Sequence, residues 1–312
     1  MTIETTRADI EYAFRLILGR QMNEEESGHY GYAGKPLEDI VRMYLNSLEF
    51  QNRRLLDPPG AKNLEKVFLN DAWIYADRAD PDVGGNVAGG SYEPNVTRIV
   101  KALVKPGMRA LDIGANIGYF TMLLAKLVGT TGRVLAIEPN IENGRLLTAS
   151  RDANQFSQVE ILLTAVGDRT DVLSLSGSGS NGTTATLQAG QSLEIKRLIP
   201  CVRLDGILKS WDRIDFIKID IEGAEVKAFN GMIDILRQFR PIIVSEFSPS
   251  LIGWISSVTP ETYLQMLIGL GYRINVITED GELVDRGHDV EAIMNDVETA
   301  EGDHIDIVAL PA

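Results

Sequence analysis

Apolar residues recur along this chain in two rhythms. Ile10, Phe14, Ile17 and Leu18 fall at helical spacing and Gly19 stops them. After Pro36, the stretch Leu37 to Leu45 is a second amphipathic run, and beyond Asn46-Ser47 the stretch Leu48 to Arg54 reads as a third helical piece. Asp57-Pro58-Pro59-Gly60 then breaks the chain. The pattern divides it into a small all-α unit over 1–57 and a larger one over 58–312. Gly84 to Pro94 is too rich in glycine to predict regular structure, and a helix follows at Asn95 to Leu103.

The rhythm changes at Met108. Ala110 to Ile113 is a short apolar run, Gly114-Ala115-Asn116-Ile117-Gly118 breaks it, and Tyr119 to Val128 resumes at helical spacing. A second strand at Arg133 to Ile137 ends in Glu138-Pro139, so this is a strand-helix-strand unit of a parallel sheet. The alternation continues with a helix from Ile141 to about Gln155 and a strand from Val159 to Val166 ending at Gly167-Asp168, which predicts a turn near an adenine. Asp171–Ser176 and Leu193–Val202 alternate as strands joined by the turn-forming stretch Gly177 to Thr184, a hairpin inserted at the ligand edge. Phe216 to Ile221 and Ile242 to Phe247 are buried strands, a helix runs from Pro260 to Leu270, and strands lie near Arg273–Ile277 and Ile305–Leu310.

The glycine turn fits a dinucleotide fingerprint poorly, because Asn116 stands where the middle glycine belongs. Glu138 is placed to accept bonds from two ribose hydroxyls, and Asp112, just before the turn, repels a pyrophosphate but attracts an ammonium group. S-adenosylmethionine, cationic at its amino acid end and a nucleoside at the other, suits that polarity better than NAD. Tyr92 and Glu93, in the glycine-rich segment, are candidates to close over such a ligand. A dehydrogenase on the same sheet and a cofactor-binding scaffold without turnover are the rival readings.

Bulk properties narrow the partners. With 312 residues, 44% of them hydrophobic, the chain has ample material for a core. A formal net charge of -14 argues against nucleic acid and anionic membrane surfaces, and favours a neutral or cationic small substrate. The single cysteine, Cys201, allows no intrachain disulfide or multi-cysteine metal cluster and reads as a small buried hydrophobe. No apolar stretch approaches a membrane span, so a cytoplasmic location is expected. His29, His288 and His304 show no metal-ligand spacing, and no metal is expected; His304 is a minor candidate base.

Acids recur at successive strand ends: Asp112, Glu138, Asp220 and Glu246. In an open α/β sheet the carboxyl ends of the strands form the ligand crevice. Together with Tyr92-Glu93, the motifs Asp112-Ile113-Gly114-Ala115-Asn116-Ile117-Gly118, Ile137-Glu138-Pro139, Val166-Gly167-Asp168, Leu204-Asp205, Lys218-Ile219-Asp220-Ile221-Glu222-Gly223-Ala224-Glu225 and Arg240-Pro241-Ile242-Ile243-Val244-Ser245-Glu246 resemble the FkbM family of S-adenosylmethionine-dependent methyltransferases. The segment Phe14 to Phe50 resembles a small helical domain that accompanies some bacterial glycan-modifying enzymes, a candidate homodimer contact. The resemblance implies a class I methyltransferase fold, a Rossmann-like doubly wound sheet of seven strands with the last antiparallel. It implies that Asp112, Gly114 and Gly118 border the methionine part of the cofactor, that Glu138 binds the ribose, and that Asp220 and Glu222 lie near the transferred methyl. It also implies O-methylation of a sugar or natural product, with N- or C-methylation as the alternative. Glu222 is the first candidate for base or acceptor anchor, with Asp220 positioning the methionine end and Glu246 in reserve. Phe247-Ser248-Pro249 departs from the histidine that many relatives carry after the acid matching Glu246.

Overall fold

The structure is a computed structural model and describes residues 3–18, 20–47, 63–177, 180–187 and 197–312. The expected helical piece at Leu48–Arg54, the break at Asp57–Gly60, and residues 178–179 and 193–196 of the expected hairpin lie outside those residues. The chain divides into two compact units, Met1–Leu64 and Glu65–Ala312.

The smaller unit holds α1 (Arg7–Leu16) and α2 (Leu37–Leu45). Thr6 and Asp9 cap α1 reciprocally, each side chain accepting the other's backbone amide. Ile10, Phe14, Leu18, Ile40 and Tyr44 form its core, and His29 is tied into it through the Tyr44 hydroxyl at 2.9 Å. Between the helices, Glu24–Tyr32 winds as a 3-10 helix that the apolar pattern does not signal, since none of its residues is buried.

The larger unit opens on a hairpin, β1 (Leu64–Leu69) and β2 (Ala72–Asp77). The glycine-rich segment expected to be irregular contains a short helix, α3 (Gly84–Ala88), because the Asp80 carboxylate accepts the Val83 and Gly84 amides and caps the first turn. There follow α4 (Pro94–Leu103), β3 (Arg109–Ile113), α5 (Tyr119–Val128), β4 (Arg133–Ile137), α6 (Ile141–Asn154) and β5 (Val159–Leu162). The single strand expected over Val159–Val166 is broken after Leu162, and its end becomes β6 (Ala165–Val166) in a different sheet.

That second sheet contains β7 (Asp171–Ser176), β8 (Thr183–Thr186) and β9 (Leu198–Val202) in the order β6-β9-β7-β8. The expected hairpin is thus a three-strand arrangement: β7 pairs antiparallel with β9 on one side and with the additional strand β8 on the other. Ala165, Leu175, Ile199 and Cys201 form its small core, where the free cysteine is a packing residue.

The chain continues through α7 (Leu204–Ile207), β10 (Phe216–Ile219), α8 (Glu225–Asn230), α9 (Ile233–Phe239), β11 (Ile242–Phe247), α10 (Pro260–Gly269), β12 (Tyr272–Ile277), β13 (Leu283–Gly287), α11 (Val290–Thr299) and β14 (Ile305–Pro311). The main sheet has the order β13-β12-β14-β11-β10-β3-β4-β5. β14 lies antiparallel between β11 and β12, so the last strand is reversed as expected. An eighth strand, β13, extends the expected seven; together with α11 it occupies the acidic segment 280–303, whose polarity hides regular structure at an exposed edge.

Both faces of the sheet are covered. Leu111, Ile113, Ile217, Ile219 and Ile243 face one core with α8 to α11, while Ala110, Val134, Ala136, Phe216 and Val244 face the other with α4 to α6. Burial on both faces is why these strands read as apolar runs. Among the described residues no helix is long and apolar enough to cross a membrane.

Candidate active site

The carboxyl ends of β3, β4, β10 and β11 open into a cavity of about 260 Å³. It lies a little below the usual range of small-ligand sites, roughly 300 to 1,000 Å³. Its floor is the turn after β3. Gly114 sits at φ +84°, and a Cβ there would come within 1.8 Å of the Asp220 carbonyl oxygen, so only glycine lets the two strand ends meet.

The amides of this turn are all engaged within the protein. Gly114 and Ala115 donate to the Ile137 carbonyl, Asn116 to the Glu138 carboxylate at 2.8 Å, Ile117 to the Asn116 side chain, and Gly118 to the Ala115 carbonyl. None of these five remains to hold a pyrophosphate, which is the task of such amides in dinucleotide sites.

Glu138 stands at the β4 end of the cavity. It also accepts the Asn140 amide at 2.7 Å, and the Asn143 side chain approaches at 3.5 Å. A carboxylate offers about four acceptor positions, so one strong position is left for a ligand hydroxyl. Burial lifts this carboxyl to about 7 although the Asn140 and Asn116 bonds pull it down. Ile137, Pro139, Ala165, Val166 and Leu175 give this end apolar walls of the kind a purine ring needs. The Ser180 carbonyl lies across it, held by Asn143 at 2.7 Å and Asn116 at 3.2 Å, while the Ser180 amide is tied to Asp80 at 3.0 Å.

The other end is acidic. Glu93, Asp220, Glu222 and Glu246 line it, together with the Lys218 ammonium and the His304 ring. Lys218 is buried in β10 and bonds Asp220 at 3.0 Å. Burial opposes its charge, but Asp220 and Glu93 outweigh that and hold it protonated. Burial, then Asp220, raises Glu222. Burial, then the charges of Asp220 and Glu222, pushes Glu246 up to about 10. His304 is raised despite burial, because Asp303 bonds its ring at 3.0 Å and Asp306 adds its charge.

Glu93, Asn116 and Glu222, three of the eight non-glycine residues with positive φ among those described, all line this cavity. Strain of roughly 1–3 kcal/mol each persists where the surroundings enforce it, typically at functional sites. For Glu222 the enforcing group is Glu225, whose carboxylate accepts the Ile221 amide at 3.0 Å and that of Gly223 at 3.4 Å. Ser256 adds a bond to the Gly223 carbonyl at 2.6 Å.

The cavity therefore gathers Tyr92, Glu93, Gly114, Asn116, Glu138, Pro139, Val166, Asp220, Glu222 and Glu246 from the residues singled out in the sequence. It does not include Asp112, Gly118, Gly167 or Asp168 among its lining. Asp112 points between β3 and α5, where the Thr121 hydroxyl bonds it at 2.5 Å. Gly118 gives room for Leu147, and Gly167 for the Cys201 sulfur, so both serve packing. Asp168 is half exposed and 3.9 Å from Arg169. The sequence reading gave no role to Lys218, Glu225, Asn143 or Ser180. Lys218 had a signal, a charge inside an otherwise apolar strand; Glu225 acts through local turn geometry, and Asn143 and Ser180 through tertiary contacts, which carry none.

The site fits S-adenosylmethionine by its donor set. An acid and an apolar slot await a nucleoside, and at the opposite end the Glu93 Oε2 is sealed from solvent without a hydrogen-bond partner, an acceptor suited to an ammonium group. Among the described residues no group of three His, Cys, Asp or Glu side chains is arranged to hold a metal ion.

Comparison with known proteins agrees with this geometry. The methyltransferase FkbM domain matches residues 112–274, just over half of the chain. Protein-L-isoaspartate O-methyltransferase 1 of Arabidopsis thaliana is 44% identical over 41 residues, 13% of this chain and 18% of that protein. The solved structure of methyltransferase FkbM from Methylobacillus flagellatus is 17% identical, covering 68% of this chain and 50% of that one with a TM-score of 0.42. Fibrillarin of Aeropyrum pernix, solved with natively bound S-adenosyl-L-methionine, is 14% identical over 69% of this chain and 73% of its own, with a TM-score of 0.40. The matched part thus spans about half the length of the Methylobacillus protein. This chain belongs to the FkbM-domain methyltransferases, whose cofactor is S-adenosylmethionine.

Proposed function

We propose that the chain transfers a methyl group from S-adenosylmethionine to a hydroxyl of a small molecule, a sugar or a natural product. The observation that carries this reading is one cavity with two unlike ends: Glu138 and apolar walls at one, and Glu222 and Glu246 beside Asp220 at the other. When bound, the cofactor supplies an electrophilic methyl on a sulfonium, so the chain's own work is to align the acceptor and remove its proton.

Each residue then has a task. Glu138 takes the ribose. Asp220, oriented and charge-balanced by Lys218, faces the methionine end together with Glu93. Glu222 accepts the acceptor's hydroxyl proton: an ordinary carboxylate is a weak base for a hydroxyl, but burial beside Asp220 raises it. Glu246, pushed up to about 10 by burial and by the charges of Asp220 and Glu222, stands beside it to hold and orient the acceptor. With one buried cysteine and no need of oxidising surroundings, we place this activity in the cytoplasm.

The test is a transfer assay with methyl-labelled S-adenosylmethionine against a panel of neutral sugars, amino sugars and macrolactone alcohols, with mass spectrometry locating the new methyl. Label on oxygen supports the reading. Label on nitrogen or carbon alone, or cofactor binding without transfer to any acceptor, refutes it.

A further inference from the structure

The sheet register lines up three acids. Ile219 pairs with Ser245, which sets Asp220 beside Glu246, and Glu246 pairs directly with Asp306 across β11 and β14. Residues paired in this way project from the same face, and like charges placed opposite each other are destabilising unless something compensates them. Glu222 joins from the exit of β10 and Glu93 from the start of α4. The compensating cations are few. Lys218 is committed to Asp220 and the His304 ring to Asp303, and the lining contains no arginine.

Counting acids against cations shows a remainder, acids that keep their protons until a further cation arrives. With Asp220 balanced by Lys218, the acids Glu93, Glu222 and Glu246 are left at this end. The cofactor's sulfonium, ammonium and carboxylate sum to one positive charge, which answers one of the three. Glu93 Oε2, sealed and without a partner, is the place for the cofactor's ammonium, so the acids left for the acceptor are Glu222 and Glu246.

We propose that the methyl acceptor carries an ammonium group, an amine-bearing polyol whose cation sits between Glu222 and Glu246 while a neighbouring hydroxyl takes the methyl. This rests on the methyltransferase reading. It also excludes phosphorylated and nucleotide-linked sugars, because the five turn amides 114–118 are engaged and the acids repel an anion.

Proton release distinguishes this from neutral-polyol binding. Burial raises Glu222, lifts Glu246 to about 10 and Asp306 to about 7, and the surrounding Asp220, Glu93, Lys218 and His304 are the other charges that face them. An ammonium favours the ionised form of these acids, so its binding releases protons to the buffer, whereas a neutral polyol releases none.

The experiment titrates glucosamine, glucose and glucose 6-phosphate by calorimetry into the full chain saturated with S-adenosylhomocysteine, in two buffers of different ionisation enthalpy. Glucosamine should bind at least about tenfold more tightly than glucose, with proton release, and glucose 6-phosphate should not bind. Glu246→Gln should shrink that preference to about threefold or less at unchanged S-adenosylhomocysteine affinity; Glu222→Gln serves as the second variant should the first fail to fold. Equal affinities, binding of none of the three sugars, or displacement of glucosamine by magnesium would overturn the proposal. Homocysteine-cofactor binding with no amine preference defeats this inference alone, while failure to bind that cofactor defeats the methyltransferase reading as well.

Discussion

At the level of single residues, the proposed reaction divides its work between two carboxylates. Glu138 holds two backbone amides and, in the proposed reaction, keeps one position for the ribose. Glu138→Ala should therefore weaken S-adenosylhomocysteine by about 1.5–3 kcal/mol, roughly tenfold to a hundredfold, measured by calorimetry. Undiminished affinity would remove it from the site. Glu222 is held in a left-handed conformation by the carboxylate of Glu225 and faces the opposite end. Glu222→Gln keeps the shape but not the basicity, so cofactor affinity should persist while turnover falls by about 10² to 10⁴. Equal losses in both would mean that it binds rather than reacts. The acids at strand ends were readable because a charge that closes an apolar run is conspicuous. The Lys218–Asp220 bond follows from the two-residue alternation of a strand, whereas the fixing of Glu222 by Glu225 depends on the turn geometry at the strand exit and does not follow from periodicity.

At the scale of elements, the crossing of the β3 turn with the β10 exit controls the site. Gly114 touches the Asp220 carbonyl, so the cofactor turn and the acidic end form one rigid joint. Gly114→Ala meets both a positive φ and an overlap with backbone, and the cost should reach about 3 kcal/mol or more. Thermal unfolding should drop by roughly 6 °C or more, and cofactor affinity should fall with it. A variant with unchanged Tm would show that the joint yields. The strands β3, β4, β10 and β11 are legible in the sequence because both their faces are buried. β8 and β13 are not, being short, polar and largely exposed. The division of Val159–Val166 between two sheets is illegible for a different reason: a chain that changes partner keeps the same apolar pattern.

For the whole molecule, the buried acids set the response to pH. Burial raises Glu138, Glu225 and Asp306 to about 7 and Asp112 to about 6, so between pH 4 and 7 the folded chain holds more protons than the unfolded one. Stability must then fall as pH rises through that window. The lowered acids, such as Asp171 and Asp285, act the other way, but their contribution is complete once pH exceeds the ordinary carboxylate value. His304, raised, adds to the fall as it deprotonates. The ligand-free Tm should decline by a few degrees from pH 5 to 7.5. Because the cofactor is cationic, its stabilising shift should be larger at pH 7.5 than at 5.5; a flat profile would contradict the burial of these acids. One further property follows from the Ser180 strap, tied to Asn116, Asn143 and Asp80 over the nucleoside end. Turnover should thus be sequential with a fixed order, cofactor first in and its spent form last out, which makes the demethylated cofactor a competitive inhibitor against the fresh one but not against the acceptor.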